Sequence, residues 1–144
     1  MGKSMLFALA LLLGISTLSC TDYSTGLQRS ARTVDETAAL ATLSTIGTAQ
    51  RTYAVSNNGD YGTFEQLCAA GVLDERFNAS QPEVRGYILT MNVGDKTFSC
   101  NADPAPGGKE QGGRHFYIDA SSATLHVNPT QPASAADPAA NSLK

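Results

Sequence analysis

GYILTMNVGDKTFSCNA, residues 86–102, has the pattern that decides the fold. Large apolar residues alternate with mostly small or polar ones on both sides of the turn residues Gly94 and Asp95, which is the period of a β-strand. A two-residue hairpin loop there places every second side chain of both strands on one face. The predicted partners are Val93 with Lys96, Met91 with Phe98, Leu89 with Cys100, and Tyr87 with Ala102. Cys100 is therefore expected to point into a core.

A second hairpin is predicted after a loop. Residues 103–113 (DPAPGGKEQGG) are a loop by composition, and residues 114–128 (RHFYIDASSATLHVN) alternate again. A turn at Ser121-Ser122 sets the apolar residues on one face. The predicted partners are Ile118 with Leu125 and Phe116 with Val127. The other face is polar and carries His115, Tyr117, Asp119, Thr124 and His126.

Two helices precede the sheet. Thr33 and Glu36 have capping-box spacing, and a stripe of mostly apolar residues then recurs at intervals of four and three in a helical pattern that extends to about Ser56. That stripe consists of Ala39, Leu43, Ile46, Gln50 and Tyr53. Thr63 and Gln66 repeat the box before a short helix, FEQLCAA. The sequence therefore predicts an α+β fold in which a long helix and a short second helix pack on a small antiparallel sheet of two hairpins.

The first residues read as a targeting segment. Lys3 precedes an apolar run, MLFALALLLGI (residues 5–15), which as a helix would span roughly half a bilayer core. Residues 1–19 are therefore predicted to be a signal peptide. Cys20 follows a small residue and resembles the lipidated cysteine of bacterial lipoproteins. The alternative is an ordinary signal peptide that is cut nearby, with Cys20 incidental.

The domain boundaries follow from composition. Residues 20–32 are polar and suit a tether after the lipidated cysteine. Residues 129–144 are rich in Pro, Ala, Ser and Asn, which predicts a disordered tail. The folded domain is expected to cover residues 33–128.

Cysteine usage and charge limit the kinds of site and of partner that the chain is expected to have. Three cysteines are an odd number for an exported chain; if Cys20 carries lipid, Cys68 and Cys100 remain and would form a disulfide in an oxidising compartment. The alternative is two buried thiols. The net charge of −3 and the lack of a basic run argue against nucleic acid as a partner. Two histidines and no tryptophan are a thin inventory for catalysis, so we expect no enzyme and no cofactor.

Several short motifs occur together along the chain. They are Glu36, Ala49-Gln50, Tyr53, Gly59, Tyr61-Gly62, Leu67, Gly86-Tyr87, Phe98, residues 102–104 and residues 114–119. This series resembles bacterial type IV pilin-like and type II secretion pseudopilin-like proteins over residues 36–127. The resemblance implies a pilin-like globular domain. The chain departs from the family at the prepilin cleavage motif, where Ile15 follows Gly14 and Ser19 stands in place of glutamate, and the hydrophobic filament helix is missing.

Residues of the types that bind metal ions occur on the polar sheet face and in the predicted loops. His115 and His126 on the polar sheet face, with Asp119 nearby, are candidate ligands for a transition metal. A solvated sheet face is the preferred interpretation. Some pseudopilins bind calcium, and Asp95, Asp103 and Glu110 lie in predicted loops, but no Asp-x-Asp-x-Asp alternation is present.

These observations predict a non-catalytic exported lipoprotein with a pilin-like domain and a structural or interaction role at the periplasm or cell surface. The membrane, through a lipid anchor, and pilus or secretion-system proteins are the expected partners. The loop at 103–113 and the polar sheet face are the expected contact surfaces. Two alternatives stay open: an accessory subunit of a type IV pilus or type II secretion filament, and a periplasmic metal- or ligand-binding protein.

Overall fold

The computed structural model describes residues 20–140, with side chains from residue 25 onward, so the predicted signal peptide lies outside the described residues. The elements in chain order are α1 (Cys20–Ser56), α2 (Phe64–Ala69), a 3₁₀ turn (Glu75–Phe77), β1 (Glu83–Val84), β2 (Tyr87–Gly94), β3 (Thr97–Pro104), β4 (His115–Asp119) and β5 (His126–Asn128). The predicted α+β class is confirmed. The sheet has five antiparallel strands in the order of the chain, one more than two hairpins supply.

Helix α1 is longer than the sequence predicted. It is already helical at Cys20, so the predicted start at Thr33 is wrong, and the predicted tether at 20–32 has a helical backbone. Those residues include one glycine and no proline, so their polarity is compatible with an exposed helix. The chain divides into two units between Ala31 and Arg32, and the second unit contains the sheet and the core.

The first hairpin forms in a register two residues away from the predicted one. The observed partners are Val93 with Phe98, Met91 with Cys100, Leu89 with Ala102, and Gly94 with Thr97. The loop is Asp95-Lys96 rather than Gly94-Asp95. Lys96 adopts a left-handed φ of 51°, and its ammonium donates to the Asn58 carbonyl at 2.6 Å and to Asp60 at 2.8 Å. Because the slip is an even number of residues, the apolar side chains stay on the predicted face.

The core lies between one face of the sheet and the predicted stripe of α1. Leu43 and Ile46 are completely buried, which confirms the stripe. A Cβ added at Gly47 would come 2.8 Å from the Ile118 Cδ1, so α1 passes directly over β4. The buried residues of the sheet are Tyr87, Leu89, Phe98, Cys100, Ala102, Phe116, Ile118 and Val127. The predicted pairing of Phe116 with Val127 is confirmed.

The predicted capping box of the second helix is confirmed. The Thr63 hydroxyl accepts from the Gln66 N–H at 3.3 Å, and the Gln66 side chain accepts from the Thr63 N–H at 2.8 Å. Gly71 follows the helix with a left-handed φ of 70°, which suits a residue without a Cβ. Phe64, Leu67 and Cys68 are buried, so α2 closes one end of the core.

The predicted disordered tail is wrong for residues 129–140, which are ordered; residues 141–144 lie outside the described part. The segment 137–140 runs along β5, where the Val127 N–H donates to the Pro138 carbonyl at 3.0 Å. The Ala140 N–H also donates to the Leu125 carbonyl at 2.8 Å. These bonds satisfy the backbone groups of an edge strand, which composition alone does not reveal. The domain therefore reaches at least residue 140.

Residues 129–140 also cover part of the outer sheet face. Ala133 is 4% exposed, and its carbonyl accepts from the Asn101 amide at 2.8 Å. The Asp137 carboxylate accepts from the Ser134 N–H at 2.8 Å and from the Asn128 amide at 2.8 Å, which fixes the return turn. The polar sheet face that the sequence offered as a contact surface is therefore partly occupied by the chain's own end.

Candidate functional site

An ionic cluster fixes the first packed turns of α1 to the sheet side of the domain. The Glu36 carboxylate, 9% exposed, accepts from the Arg114 guanidinium at 2.7 and 3.0 Å and from the Arg114 N–H at 3.2 Å. Both guanidinium N–H groups donate to the same oxygen, Oε2, and charge-assisted hydrogen bonds of this kind are among the stronger polar contacts in proteins. The sequence predicted that Glu36 caps the start of a helix. In the structure it instead binds Arg114, at the entry to β4.

Asp35 is the second carboxylate of this cluster and is 4% exposed. It accepts from the Lys109 ammonium at 2.6 Å and from the Arg85 guanidinium at 3.2 Å. The hydrogen bond from Lys109 lowers the pKa of Asp35; burial acts in the opposite direction, and Arg85 lowers the pKa further. We call Asp35, Glu36, Arg85, Lys109, Glu110 and Arg114 the ionic clamp.

Glu110 is the buried acid of the clamp, with 3% of the residue exposed. Burial raises its pKa, and the neighbouring Asp35 carboxyl raises it further. Within the described residues, the Glu110 Oε2 and the Tyr87 hydroxyl are buried without a hydrogen-bond partner. The clamp contains no nucleophile beside a base, so the chemistry that its geometry supports is the fastening of residues 105–113 to α1.

A neutral contact fixes the other end of α1. Gln50 is completely buried; its amide donates to the Gly62 carbonyl at 2.7 Å, and its carbonyl accepts from the Gly62 N–H at 2.9 Å. Both backbone groups of Gly62 are thereby satisfied by one side chain. A Cβ at Gly62 would lie 3.2 Å from the Tyr53 ring, so the close approach favours glycine. We call this contact the amide anchor.

The two histidines lie on the polar face of the sheet, as predicted, and each has its own hydrogen-bond partner. The Nδ1 of His115 lies 2.6 Å from the Asp103 carboxylate, and the Nδ1 of His126 lies 2.6 Å from the Asp137 carbonyl. Since both partners are acceptors, each Nδ1 carries the donated proton. The Tyr117 hydroxyl between the strands donates to Asp119 at 3.1 Å. Among the side chains that the structure describes, those of residues 25–140, there is no group of three or more that could hold a metal ion.

The three calcium candidates are not brought together. Asp95 lies in the β2–β3 turn and Asp103 near the far end of β3, an eight-residue strand that spans roughly 25 Å. Glu110 belongs to the ionic clamp, where Lys109 and Asp35 surround its carboxyl. The calcium hypothesis therefore gains no geometric support from these residues.

Cys68 and Cys100 are both buried. The Cys68 thiol donates to the Asp74 carbonyl at 3.2 Å. Burial raises the pKa of both thiols, which makes them poor nucleophiles. Their joining in an oxidising compartment stays a prediction. The Cys20 side chain, predicted to be lipidated, lies outside the described side chains.

The outward side of α1 carries a second feature, which the sequence analysis did not single out. We call the residues that recur there at intervals of four and three the outer face: Val34, Ala38, Ala41, Thr45, Thr48, Thr52 and Val55. Val34 is 56% and Val55 is 86% exposed. The hydroxyls of Thr45, Thr48 and Thr52 donate to carbonyls four residues earlier at 3.0 to 3.1 Å. The residues of this face present methyl groups, and the exposed Arg51 guanidinium beside them donates to the Thr48 hydroxyl at 3.3 Å.

The residues of the ionic clamp show no local sequence pattern that predicts their contacts. Asp35, Arg85 and Lys109 are far apart in the chain, and each reads as an ordinary surface charge. The outer face follows the same spacing as the core stripe, so a count of period 3.6 on the uncharged side would have found it.

No protein-family model, curated protein or solved structure matches this chain. Within residues 20–140, none of the helices combines the length and the apolar character needed to cross a bilayer.

Proposed function

We propose that this chain is a non-catalytic bacterial envelope lipoprotein with a pilin-like domain that binds a protein partner through the outer face of α1. The observation that carries the proposal is the outer face itself: between Val34 and Val55 it presents alanine, valine and threonine side chains only. Long surface helices ordinarily carry charges on the side away from the core. Between residues 34 and 55 the chain has three charged residues, Asp35, Glu36 and Arg51. The two acids belong to the ionic clamp, and Arg51 lies beside the outer face, where it donates to the Thr48 hydroxyl.

The outer face is suited to burial in an interface. The threonine hydroxyls already bond to the helix backbone, so covering them removes methyl groups from water without leaving a polar group unpaired. Interface cores are depleted in charged residues, as this face is. A shallow groove continues from Thr45, Thr48 and Thr52 to Gly71 and Val72 after α2, which widens the surface that a partner helix would meet.

The direct test places a photo-crosslinking amino acid on the outer face in living cells. With the crosslinker at Thr48 we expect one discrete adduct, and with the crosslinker at the exposed control position Asn78 we expect none. A Thr45→Glu substitution should abolish the Thr48 adduct, while Asn78→Glu should leave it unchanged. Thermal unfolding of each variant shows that the fold is retained. An adduct of equal yield at both positions, or none at either, contradicts the proposal.

The export half of the proposal has its own tests. Cys20→Ala should release the protein from the membrane fraction and end the incorporation of labelled fatty acid. Mass spectrometry of unreduced periplasmic protein should find a peptide that links Cys68 to Cys100. Labelling that survives the substitution argues against lipidation, and alkylatable thiols at both positions argue against the bridge.

An accessory subunit of a type IV pilus or type II secretion filament is the second candidate. It is favoured by the length of α1, since its 37 residues of continuous helix exceed the helix of residues 33–56 that the sequence predicted. Co-purification with filament proteins, lost in Thr45→Glu and kept in Asn78→Glu, would support it. A single partner unrelated to filaments in the crosslinking experiment would exclude it.

A further inference from the structure

We call residues 105–113, which connect β3 to β4, the strap. Glycines allow its backbone to turn, and its inner side is bound to α1. Gly107 and Gly112 adopt left-handed φ values of 69° and 79°, so the backbone turns sharply on both sides of Glu110. The Glu110 side chain points inward: its Cγ would lie 3.1 Å from a Cβ at Gly86. At Gly113 a Cβ would come 2.8 Å from the Tyr87 hydroxyl, so the strap lies close against β2.

Two buried carboxyl groups face each other beneath the strap. Those of Asp35 and Glu110 both lie near the Lys109 ammonium, and each carboxyl group shifts the pKa of the other. The cations are unequally shared between them: the Lys109 ammonium is 2.6 Å from Asp35 but 3.9 Å from the Glu110 Oε1, and Arg85 contacts Asp35. The Glu110 Oε2 is buried without a partner among the described residues. Two adjacent carboxylates cannot both ionise in such a site without strong repulsion.

We propose that Glu110 is held as a neutral acid whose proton bridges to the Asp35 carboxylate, and that ionisation of Glu110 releases the strap from α1. The charged and titratable groups near Glu110, or near its neighbours Asp35 and Tyr87, are Arg32, Asp35 and Glu36 from α1, Arg85 from the β1–β2 turn, Tyr87 from β2, Lys109 from the strap and Arg114 beside β4. The cations among them are already committed to Asp35, Glu36 or the Gln111 carbonyl. None of these cations donates a hydrogen bond to Glu110. Lys109, 3.9 Å from its Oε1, and Arg32 lower its pKa, but by less than burial and Asp35 raise it.

The direction of the pH dependence follows from the two acids. Burial and Asp35 raise the pKa of Glu110, whereas the hydrogen bond from Lys109 lowers the pKa of Asp35 against the effect of burial. A raised pKa means that the stabilising contribution of Glu110 is complete below its unfolded-state pKa and is lost as the pH rises through its folded-state pKa. The strap is therefore closed in acid and opens as the pH rises.

Hydrogen exchange of the full chain between pH 4.5 and 8.5 tests the proposal. After correction for the intrinsic pH dependence of exchange, amides in residues 105–113 should lose protection by about tenfold for each unit by which the pKa is raised. Glu110→Gln keeps a neutral side chain of the same shape, so its strap should stay protected throughout. Glu83→Gln, an exposed control, should follow the wild type. The same loss of protection in Glu110→Gln, or none in the wild type, overturns the proposal.

A titration of the wild-type chain covers the case in which Glu110→Gln does not fold. The ¹³C signal of the Glu110 carboxyl should titrate at a higher pH in the folded protein than in the urea-unfolded protein. The strap amides should shift with the same midpoint. A Glu110 midpoint equal to or below that of the unfolded chain overturns the proposal.

Discussion

The amide anchor and the ionic clamp fix the two ends of the packed part of α1, and they do so with opposite chemistry. The amide anchor joins Gln50 to both backbone groups of Gly62, and every polar atom in that contact is neutral. The ionic clamp joins Asp35 and Glu36 to cations that remain partly exposed, such as Lys109 at 62%. A neutral buried contact is indifferent to pH and salt, whereas a charged one responds to both. The contact at one end of the helix is thus independent of pH and salt, whereas the contact at the other end depends on both.

Truncation of a side chain in the apolar stripe between the ionic clamp and the amide anchor should cause the largest loss of stability. Leu43→Ala removes a completely buried side chain from between α1 and the sheet, and should lower the free energy of unfolding by about 2–5 kcal/mol. Denaturant unfolding measures the change. Thr45→Ala, on the outer face two residues away, should change it by less than about 0.5 kcal/mol. Equal losses in the two variants would mean that the two faces of α1 are wrongly assigned.

Removal of the amide anchor should cause the second-largest loss of stability. Gln50→Ala leaves the buried N–H and carbonyl of Gly62 without partners and should cost roughly 2–4 kcal/mol, since each orphaned group costs about 1–3. Gln111→Ala, which removes an exposed side chain on the strap, is the matched control and should have little effect. A loss below about 1 kcal/mol for Gln50→Ala would show that water replaces the amide.

Gln50→Glu would make the amide anchor titratable. A protonated glutamic acid can still donate to the Gly62 carbonyl and accept from its N–H, but a carboxylate can only accept. Burial should raise the pKa of the new acid, so its variant should approach wild-type stability in acid and lose it as the pH rises. Unfolding midpoints across pH 4 to 8 measure this. A loss that is the same at every pH would contradict the assigned geometry.

The ionic clamp should give the smallest loss. Glu36→Gln keeps the shape but removes the charge that Arg114 meets, and should cost about 1–2 kcal/mol, because the released guanidinium is 38% exposed and regains water. Added salt should narrow the difference from the wild type, since it screens the intact pair. Glu83→Gln, exposed on β1, should be neutral. A difference that salt leaves unchanged would mean that Glu36 contributes through packing alone.

The sequence anticipated the features that depend on close neighbours. The stripe through Leu43 and Ile46, the box of Thr63 and Gln66, and the face that carries Phe116 were all predicted, because periodicity and caps involve residues a few positions apart. The first hairpin was predicted with its loop one residue early. Gly94-Asp95 has the composition of a turn, but the contacts of Lys96 with Asn58 and Asp60 favour the other loop.

The candidate sites were less predictable. The histidines were correctly placed on the outer sheet face, but their partners, Asp103 and the Asp137 carbonyl, come from the preceding strand and from a tail that was expected to be disordered. The start of α1 was missed because polar residues form an exposed helix as readily as a tether when no proline intervenes.

What the sequence by itself determined is which side chains face the core and which local motifs end each element, since both are set by the 2.0 and 3.6 residue periods of the backbone. Only the tertiary structure decided which charges are buried. Glu36 meets Arg114 across 78 positions of the chain, and Asp35 meets Lys109 across 74. A carboxylate near the start of a helix has the same local sequence whether it faces water or a buried acid, so its ionisation depends on what the rest of the fold brings to it.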